Sequence, residues 1–244
     1  MSEVRDDWYS RTEMAIGKEA LDRLRRSSVL VAGLGGVGGY VAEMLVRAGI
    51  GAITIADGDS VQASNRNRQL LALISTEGRM KTEVMRDRLI DINPDLQLTL
   101  IPEFLRDDRM IEVLETGYDY VVDAIDTLSP KVFLIYHTVS RGMKLVSSMG
   151  AGGRFDPARL AVSDISESYG CNLARIVRKR LHRLGIREGF KVVWSPEPVA
   201  KGMIVKVSGE RNKASTVGTI SYMPAAFGIV TASVVINDIA GITQ

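Results

Sequence analysis

One cysteine, two histidines and two tryptophans in 244 residues set the first limits. With a single Cys171 no internal disulfide can form, and a zinc site built on Cys-x-x-Cys pairs is excluded. Excess charge of either sign is also lacking. The net charge is +2, so the chain is no polycation, and any nucleic-acid contact has to come from a local patch. A sustained apolar run of spanning length is missing too. The longest charge-free stretch, 214–237, is interrupted by Pro224, Gly218 and Gly228, and it reads as a buried core or interface helix, not as a membrane span. Met1–Asp7 is acidic and polar, unlike a signal peptide; the lone cysteine fits a reducing cytoplasm, the expected compartment.

Short apolar runs alternate with helical patterns along the first 150 residues. Strands are expected at 28–33, 52–56, 96–101, 120–124 and 144–148. Helices are expected at 37–48, 80–92, 108–116 and 130–141. This order predicts an α/β fold with a doubly wound, mainly parallel sheet of Rossmann type. A strand at 160–163, a basic helix at 172–184, a strand at 192–195, a polar loop at 208–215 and the apolar helix make a C-terminal extension. No linker interrupts the chain, so 1–244 is expected to be one domain, with a nucleotide-binding core at 27–150 and an extension at 151–244.

The loop between the first strand and helix reads Gly33-Leu34-Gly35-Gly36-Val37-Gly38. Its glycines permit a tight turn, close phosphate approach and close helix–strand packing, and the helix N-terminus offers free N–H groups to phosphate. Asp57 follows the second strand, where a ribose-binding carboxylate is expected. The loop alone leaves NAD, FAD and ATP open. Asn65-Arg66-Asn67-Arg68-Gln69 and Lys81 come next. A dinucleotide is held mostly through backbone, whereas a triphosphate under attack needs cations such as Arg68 and Lys81. Solvated surface charge is the other reading of that pair. Asp126, past the fourth strand, suits either a magnesium ligand or the N-cap of the next helix.

With these residues in view, the run GLGGVGGYVAEMLVRAGIGAITIADGDSVQASNRNRQ, with Lys81 and DAIDT, resembles the ATP-dependent adenylating enzymes. That superfamily includes the ubiquitin-activating enzymes and the bacterial activators of sulfur-carrier proteins. YVVDAIDTLSPK, SSMGAGGRFDP, RIVRKRLHRLGI and SYMPAAFG are similar to its tRNA threonylcarbamoyladenosine dehydratase branch. The resemblance implies that Gly33, Gly35, Gly36, Gly38 and Asp57 bind ATP, with Asp57 on the ribose and Asn65, Arg68 and Lys81 on the triphosphate. It implies that Asp126 is the magnesium-linked catalytic aspartate, acting with Arg68 and Lys81. Arg11 matches an arginine that reaches the partner subunit's ATP site, which implies a homodimer. The implied reaction is adenylation of the threonyl carboxylate of the modified tRNA nucleoside, followed by ring closure with release of AMP.

The chain departs from the sulfur-carrier activators, which often carry zinc-binding cysteine pairs. It departs from ubiquitin-type activators, which use a second-half cysteine; Cys171 reads better as a small packed residue. Some members of the branch have a cysteine near the C-terminal helix, where this chain has Val217 and Gly218. Arg175, Arg178, Lys179, Arg180 and Arg183 crowd one face of the basic helix and are candidates for tRNA phosphate contact; a solvated face is the alternative. Aromatics for base stacking are sparse on that helix. His137 and His182 read as packing and surface residues. An activator of a ubiquitin-like or sulfur-carrier protein, an NAD-dependent oxidoreductase and a non-catalytic RNA-binding module remain as competitors. The residues leave open whether a monovalent cation binds near the Gly150 turn and whether a sulfur-transfer protein docks.

Overall fold

The computed structural model describes residues 8–206 and 215–242. Seven strands form one sheet: β1 (Ser28–Ala32), β2 (Ala52–Ala56), β3 (Gln97–Ile101), β4 (Tyr120–Asp123), β5 (Leu145–Ser148), β6 (Ala161–Asp164) and β7 (Lys191–Trp194). Their order is β3-β2-β1-β4-β5-β7-β6. All pairings are parallel except that of the edge strand β6 with β7. The expected strands and helices up to residue 195 match within one or two residues at their ends, and β7 carries the extension into the same sheet as the core; the apolar helix expected at 214–237 begins only at Tyr222 and runs to Ala240, because 215–217 pair as a strand. A separate hairpin pairs β8 (Ile204–Lys206) with β9 (Ser215–Val217). The expected polar loop at 208–215 lies outside the described residues except for Ser215.

Strand burial explains the layers. Side chains alternate across a strand, so Val29 and Val31 of β1 join one core cluster while Leu30 and Ala32 join the other. Helices α3 (Gly38–Ala48), α4 (Lys81–Ile92) and α8 (Tyr222–Ala240) supply the first cluster. Helices α5 (Asp107–Glu115), α6 (Leu128–Ser140) and α7 (Asn172–Arg183) supply the second. Two short helices precede β1, α1 (Ser10–Ile16) and α2 (Lys18–Arg26). The sequence reading assigns no element there. α1 buries none of its residues, and only Ala20, Leu21 and Leu24 of α2 are buried, so the apolar signal is thin.

By length and composition α8 is apolar enough to cross a membrane. Here it packs against α2, α3, β5 and β7, and it buries Met223, Phe227, Ala232 and Val235. Gly228 lets it cross α3 closely: a Cβ there would lie 2.7 Å from both the Val37 carbonyl oxygen and the Tyr40 Cβ. Asp238 fastens its far end to the sheet, accepting from the Tyr120 hydroxyl at 2.8 Å and from the Lys191 ammonium at 2.6 Å.

Candidate functional site

β1 and β4 are neighbours, yet the chain leaves them in opposite directions, toward β2–β3 and toward β5–β7. A crevice opens at the carboxyl ends of strands where such a sheet reverses its order. The glycine loop lies there. The Gly33 N–H donates to the Ala56 carbonyl at 2.8 Å, and the Ala124 N–H donates to the Ala32 carbonyl at 2.9 Å. Gly33 has φ +93°, and a Cβ on it would sit 2.7 Å from the Ala124 carbonyl oxygen. A Cβ on Gly38 would lie 1.7 Å from the Gly33 carbonyl oxygen, and one on Gly36 would lie 2.9 Å from the Pro224 Cβ. These three glycines are required by the fold. Gly35 is different: a Cβ on it meets nothing nearer than the Gln69 Nε2 at 3.9 Å.

That contrast gives a prediction. Gly35→Ala should fold within about 0.5 kcal/mol of the parent, while its affinity for ATP falls by roughly tenfold or more. Thermal melts and nucleotide titration check both halves. Unchanged affinity would mean that phosphate does not approach the Gly35 backbone.

Asp57 is buried against the loop. Its Oδ2 accepts from the Leu34 N–H at 2.6 Å and its Oδ1 from the Asp59 N–H at 2.8 Å. Burial pushes its carboxyl above the usual carboxylate range, opposed by Lys81 and by the two N–H donors. Lys81 is 4% exposed. Its ammonium lies 2.8 Å from Asp59 Oδ2 and 3.9 Å from Asp57 Oδ1. α4, which begins at Lys81, is tied to α3 through buried Glu43, the acceptor for Arg88.

The aperiodic stretch between Asp57 and Lys81 is a loop closed at its base. Ser60 bridges Met80, Val61 N–H donates to the Arg79 carbonyl at 2.8 Å, and Gly78 N–H donates to the Val61 carbonyl at 2.9 Å. Single helical turns at Ala63–Asn65 and Ile74–Thr76 lie within it. Asn65 Oδ1 accepts from the Gln62 N–H at 3.1 Å. The Arg68 guanidinium donates to the Ser64 carbonyl at 3.0 Å and to Asn67 Oδ1 at 2.9 Å. The Arg68 carbonyl oxygen lies 3.4 Å from the position of a Gly36 Cβ, so this loop flanks the glycine loop.

Among the described residues, two buried side-chain polar atoms have no hydrogen-bond partner: Gln69 Oε1 and Thr82 Oγ1. They adjoin Arg68 and Lys81 in sequence. Buried polar atoms are nearly always satisfied, and Gln69 lies beside the glycine loop, its Nε2 3.9 Å from the position of a Gly35 Cβ, so its oxygen marks the crevice as a place for a polar ligand; Thr82 is fully buried on α4. Gln69 belongs to the hydrogen-bonding cluster 65–69 without an assigned role, and Thr82 carries no sequence signal.

Asp126 is exposed just past β4, and the N-cap of α6 is Thr127. The N-cap position thus falls one residue beyond Asp126, which lies on the turn 124–126 between β4 and α6. That turn is fixed from below by Lys131, which is fully buried. Its ammonium lies 2.8 Å from Asp123 Oδ2 and donates to the Ile125 carbonyl at 3.0 Å. Asp123 also accepts from the Ser147 hydroxyl at 2.5 Å and from the Ile125 N–H at 3.1 Å. Lys131 ends the run YVVDAIDTLSPK and Ser147 opens SSMGAGGRFDP, but the sequence assigns neither a role. A lysine inside an apolar helix pattern was the available signal.

Arg11 is not brought to this crevice. It is exposed on α1. Tyr9, two residues before it, lies against Gly49 at the far end of α3. α3 has 11 residues, so the crevice is about 16 Å away along its axis. The basic residues of α7 also stand apart. Leu173 at the start of α7 approaches Gly150, just past the carboxyl end of β5. α7 then runs toward the opposite pole, where β7 starts. Arg175 is thus nearest the crevice, and Lys179, Arg180 and Arg183 lie progressively farther away, all exposed. Arg178 turns inward and donates to the Ile165 and Ser168 carbonyls and to the Ser168 hydroxyl. Its guanidinium holds the turn before α7, which sets it apart from the other four. Cys171 is buried, as a packed residue would be. At the Gly150 turn, buried Arg154 donates to the Gly150 carbonyl at 2.9 Å and also to the Glu197 carbonyl.

The model of the ThiF family matches residues 9–244. The tRNA threonylcarbamoyladenosine dehydratase of Bacillus subtilis is 37% identical over 238 residues, covering 95% of this chain and 94% of that protein. The crystal structure of E. coli tRNA N6-threonylcarbamoyladenosine dehydratase in complex with ATP superposes with a TM-score of 0.87 at 33% identity. It covers 98% of this chain and 97% of the other. The same E. coli enzyme in complex with AMP gives the same TM-score and identity over 99% and 98%.

Proposed function

The chain belongs to the ThiF family, and on that premise we propose that it is an ATP-dependent tRNA threonylcarbamoyladenosine dehydratase. The observation that carries this reading is coverage. The dehydratase relatives match the chain end to end at 33–37% identity, including the half beyond the nucleotide loop. Residues 27–150 are the ATP-binding core, and residues 151–244 are the substrate-binding and dimerisation extension of one domain.

In this reading the ATP phosphates lie over Gly35 and the N-terminus of α3, where free N–H groups point at them. Asp57, already held by two N–H donors, accepts from the ribose hydroxyls. Asn65 has its oxygen engaged by Gln62, so its amide N–H₂ remains as a phosphate donor. Arg68 and Lys81 supply positive charge. Lys81 changes partner from Asp59 to phosphate, a movement of a few ångström. The threonyl carboxylate oxygen attacks the α-phosphorus, the bond to the bridging oxygen breaks, and pyrophosphate leaves with the electron pair. Arg68 and Lys81 offset the charge that builds on the phosphoryl oxygens. The carbamoyl group next to the activated carbonyl then attacks it, the bond from that carbonyl to the AMP oxygen breaks, AMP departs with the electron pair, and the carbamoyl N–H proton is lost to solvent. This step is intramolecular and closes a small ring, so proximity supplies much of its rate and no enzyme nucleophile is needed.

Asp126 fits magnesium. No group of three metal-binding side chains occurs among the described residues, and magnesium takes most of its ligands from phosphate oxygens and water with one or two carboxylates. Held by Asp126 and ATP, it would neutralise charge on the phosphates. The position of Arg11, far from the crevice of its own chain, supports a homodimer in which each Arg11 serves the other subunit's ATP. Cytoplasmic residence accords with a tRNA substrate.

ATP–pyrophosphate exchange separates this function from activation of a protein terminus. Exchange should appear with tRNA bearing threonylcarbamoyladenosine and be absent with a carrier-protein peptide ending in Gly-Gly. The reverse pattern would overturn the assignment.

A further inference from the structure

The sequence shows few aromatics near the basic helix, but the fold collects three exposed ones along the edge of the crevice. Tyr222 is first. It opens α8 two residues before Pro224, which abuts Gly36 of the phosphate loop. Its hydroxyl donates to the Phe155 carbonyl at 2.9 Å. Phe155 is second, with 48% of its surface exposed. Its N–H and that of Asp156 donate to the Glu197 carboxylate at 3.0 Å each. Tyr169 is third and is 65% exposed. Its ring stands edge-on to Trp194 with centroids 4.6 Å apart, and the neighbouring Gly170, at φ +67°, presses against Pro196. Pro196 and Glu197 thus join the second aromatic to the third, and α7 with Arg175 begins three residues after Tyr169.

Each ring is presented by backbone pinned through named contacts, so the track is rigid. Charges of both signs border it, the Glu197, Asp156 and Glu167 carboxylates beside exposed Arg159 and Arg175. Arg159 and Arg154 lie close enough to help hold the Glu197 carboxyl below the usual carboxylate range, behind the stronger effect of the Asp156 N–H. Arg175, Lys179 and Arg180 are exposed beyond Tyr169. Flat exposed rings with exposed Arg159 and Arg175 within reach, leading out of a nucleotide crevice, match the chemistry of unpaired nucleotides. Bases stack on the rings while phosphates meet the cations.

We propose that Tyr222, Phe155 and Tyr169 form a stacking track for the unpaired bases that flank the modified nucleoside of the RNA substrate, leading from the ATP crevice to the basic helix α7. The proposal rests on the dehydratase reading and adds to it how the single-stranded part of the RNA is held. Phosphate contacts on α7 alone would bind a stem and a loop alike; the track selects a loop.

The test uses the full chain and a fluorescently labelled anticodon stem-loop RNA carrying threonylcarbamoyladenosine, titrated over a range of salt concentrations. Tyr169→Ala should weaken binding by roughly tenfold at every salt concentration, with the slope of log K against log salt unchanged. Tyr169→Phe should bind as the parent does. Arg175→Ala should instead lower the slope by about one. ATP affinity should stay at the parental value in all three variants, since neither residue touches the nucleotide; Tyr169→Ala uncovers Trp194 of the core, so binding is compared at a temperature where every variant is folded. Parental affinity in Tyr169→Ala, or an altered salt slope, would overturn the track. A changed sedimentation coefficient would assign the rings to a second copy of the chain and also overturn it. Failure of the unaltered protein to bind the RNA would remove the dehydratase reading itself, and the track with it.

Discussion

Lys131→Met lowers the stability of the chain by about 3–5 kcal/mol. The methionine is close in shape to lysine, so the loss does not come from a cavity. It comes from Asp123, which is fully buried and keeps only the Ser147 hydroxyl and one N–H as partners once the ammonium is gone. Removing one member of a buried ion pair leaves an uncompensated charge in a low dielectric, and that penalty exceeds the net worth of the pair. The double variant Asp123→Leu with Lys131→Met removes both charges and should recover most of the loss. Urea denaturation of the parent, both single variants and the double variant completes the cycle. Equal stability of Lys131→Met and parent would mean that the pair does not hold the turn.

Asp126→Ala has the largest expected effect on activity. AMP formation should fall by roughly 10²- to 10³-fold, with stability within about 1 kcal/mol of the parent, because the side chain is exposed and lies outside α6. The same variant tests the subunit arrangement. Arg11→Ala should also be inactive, yet a mixture of the two after subunit exchange should regain roughly a quarter of parental activity. Half of the dimers then pair an intact Asp126 with an intact Arg11 from the other chain, at one of their two crevices. No recovery on mixing would place Arg11 outside the partner's site.

The core of the fold was legible because β1, β2 and β4 are buried on both faces. Such strands read as continuous apolar runs, and glycine or proline closes the helices between them. α1 and α2 were not legible, because α1 buries nothing and Gly17 divides the pair into pieces too short for a periodic signal. The site divides in the same way. Gly33, Asp57 and Lys81 converge because each sits at an element end that the doubly wound order brings to one crevice, so local spacing was enough to group them. Lys131 and Ser147 depend on the pairing of β4 with β5 and on the face that α6 turns inward, neither of which a local pattern specifies. Tyr222 meets Phe155 through its hydroxyl, and Phe155 is joined to Tyr169 through the Pro196–Glu197 segment, contacts between parts of the chain that no local pattern relates. The inward turn of Arg178 depends on the position of Ser168, which the charge pattern of α7 does not encode.

The most direct test is mass analysis of the nucleosides of threonylcarbamoyladenosine-bearing tRNA after incubation with this protein, ATP and magnesium. The account predicts that the modified nucleoside loses the mass of one water and that AMP appears in equal amount. A nucleoside of unchanged mass, in a sample where the protein binds both ATP and the tRNA, would contradict it.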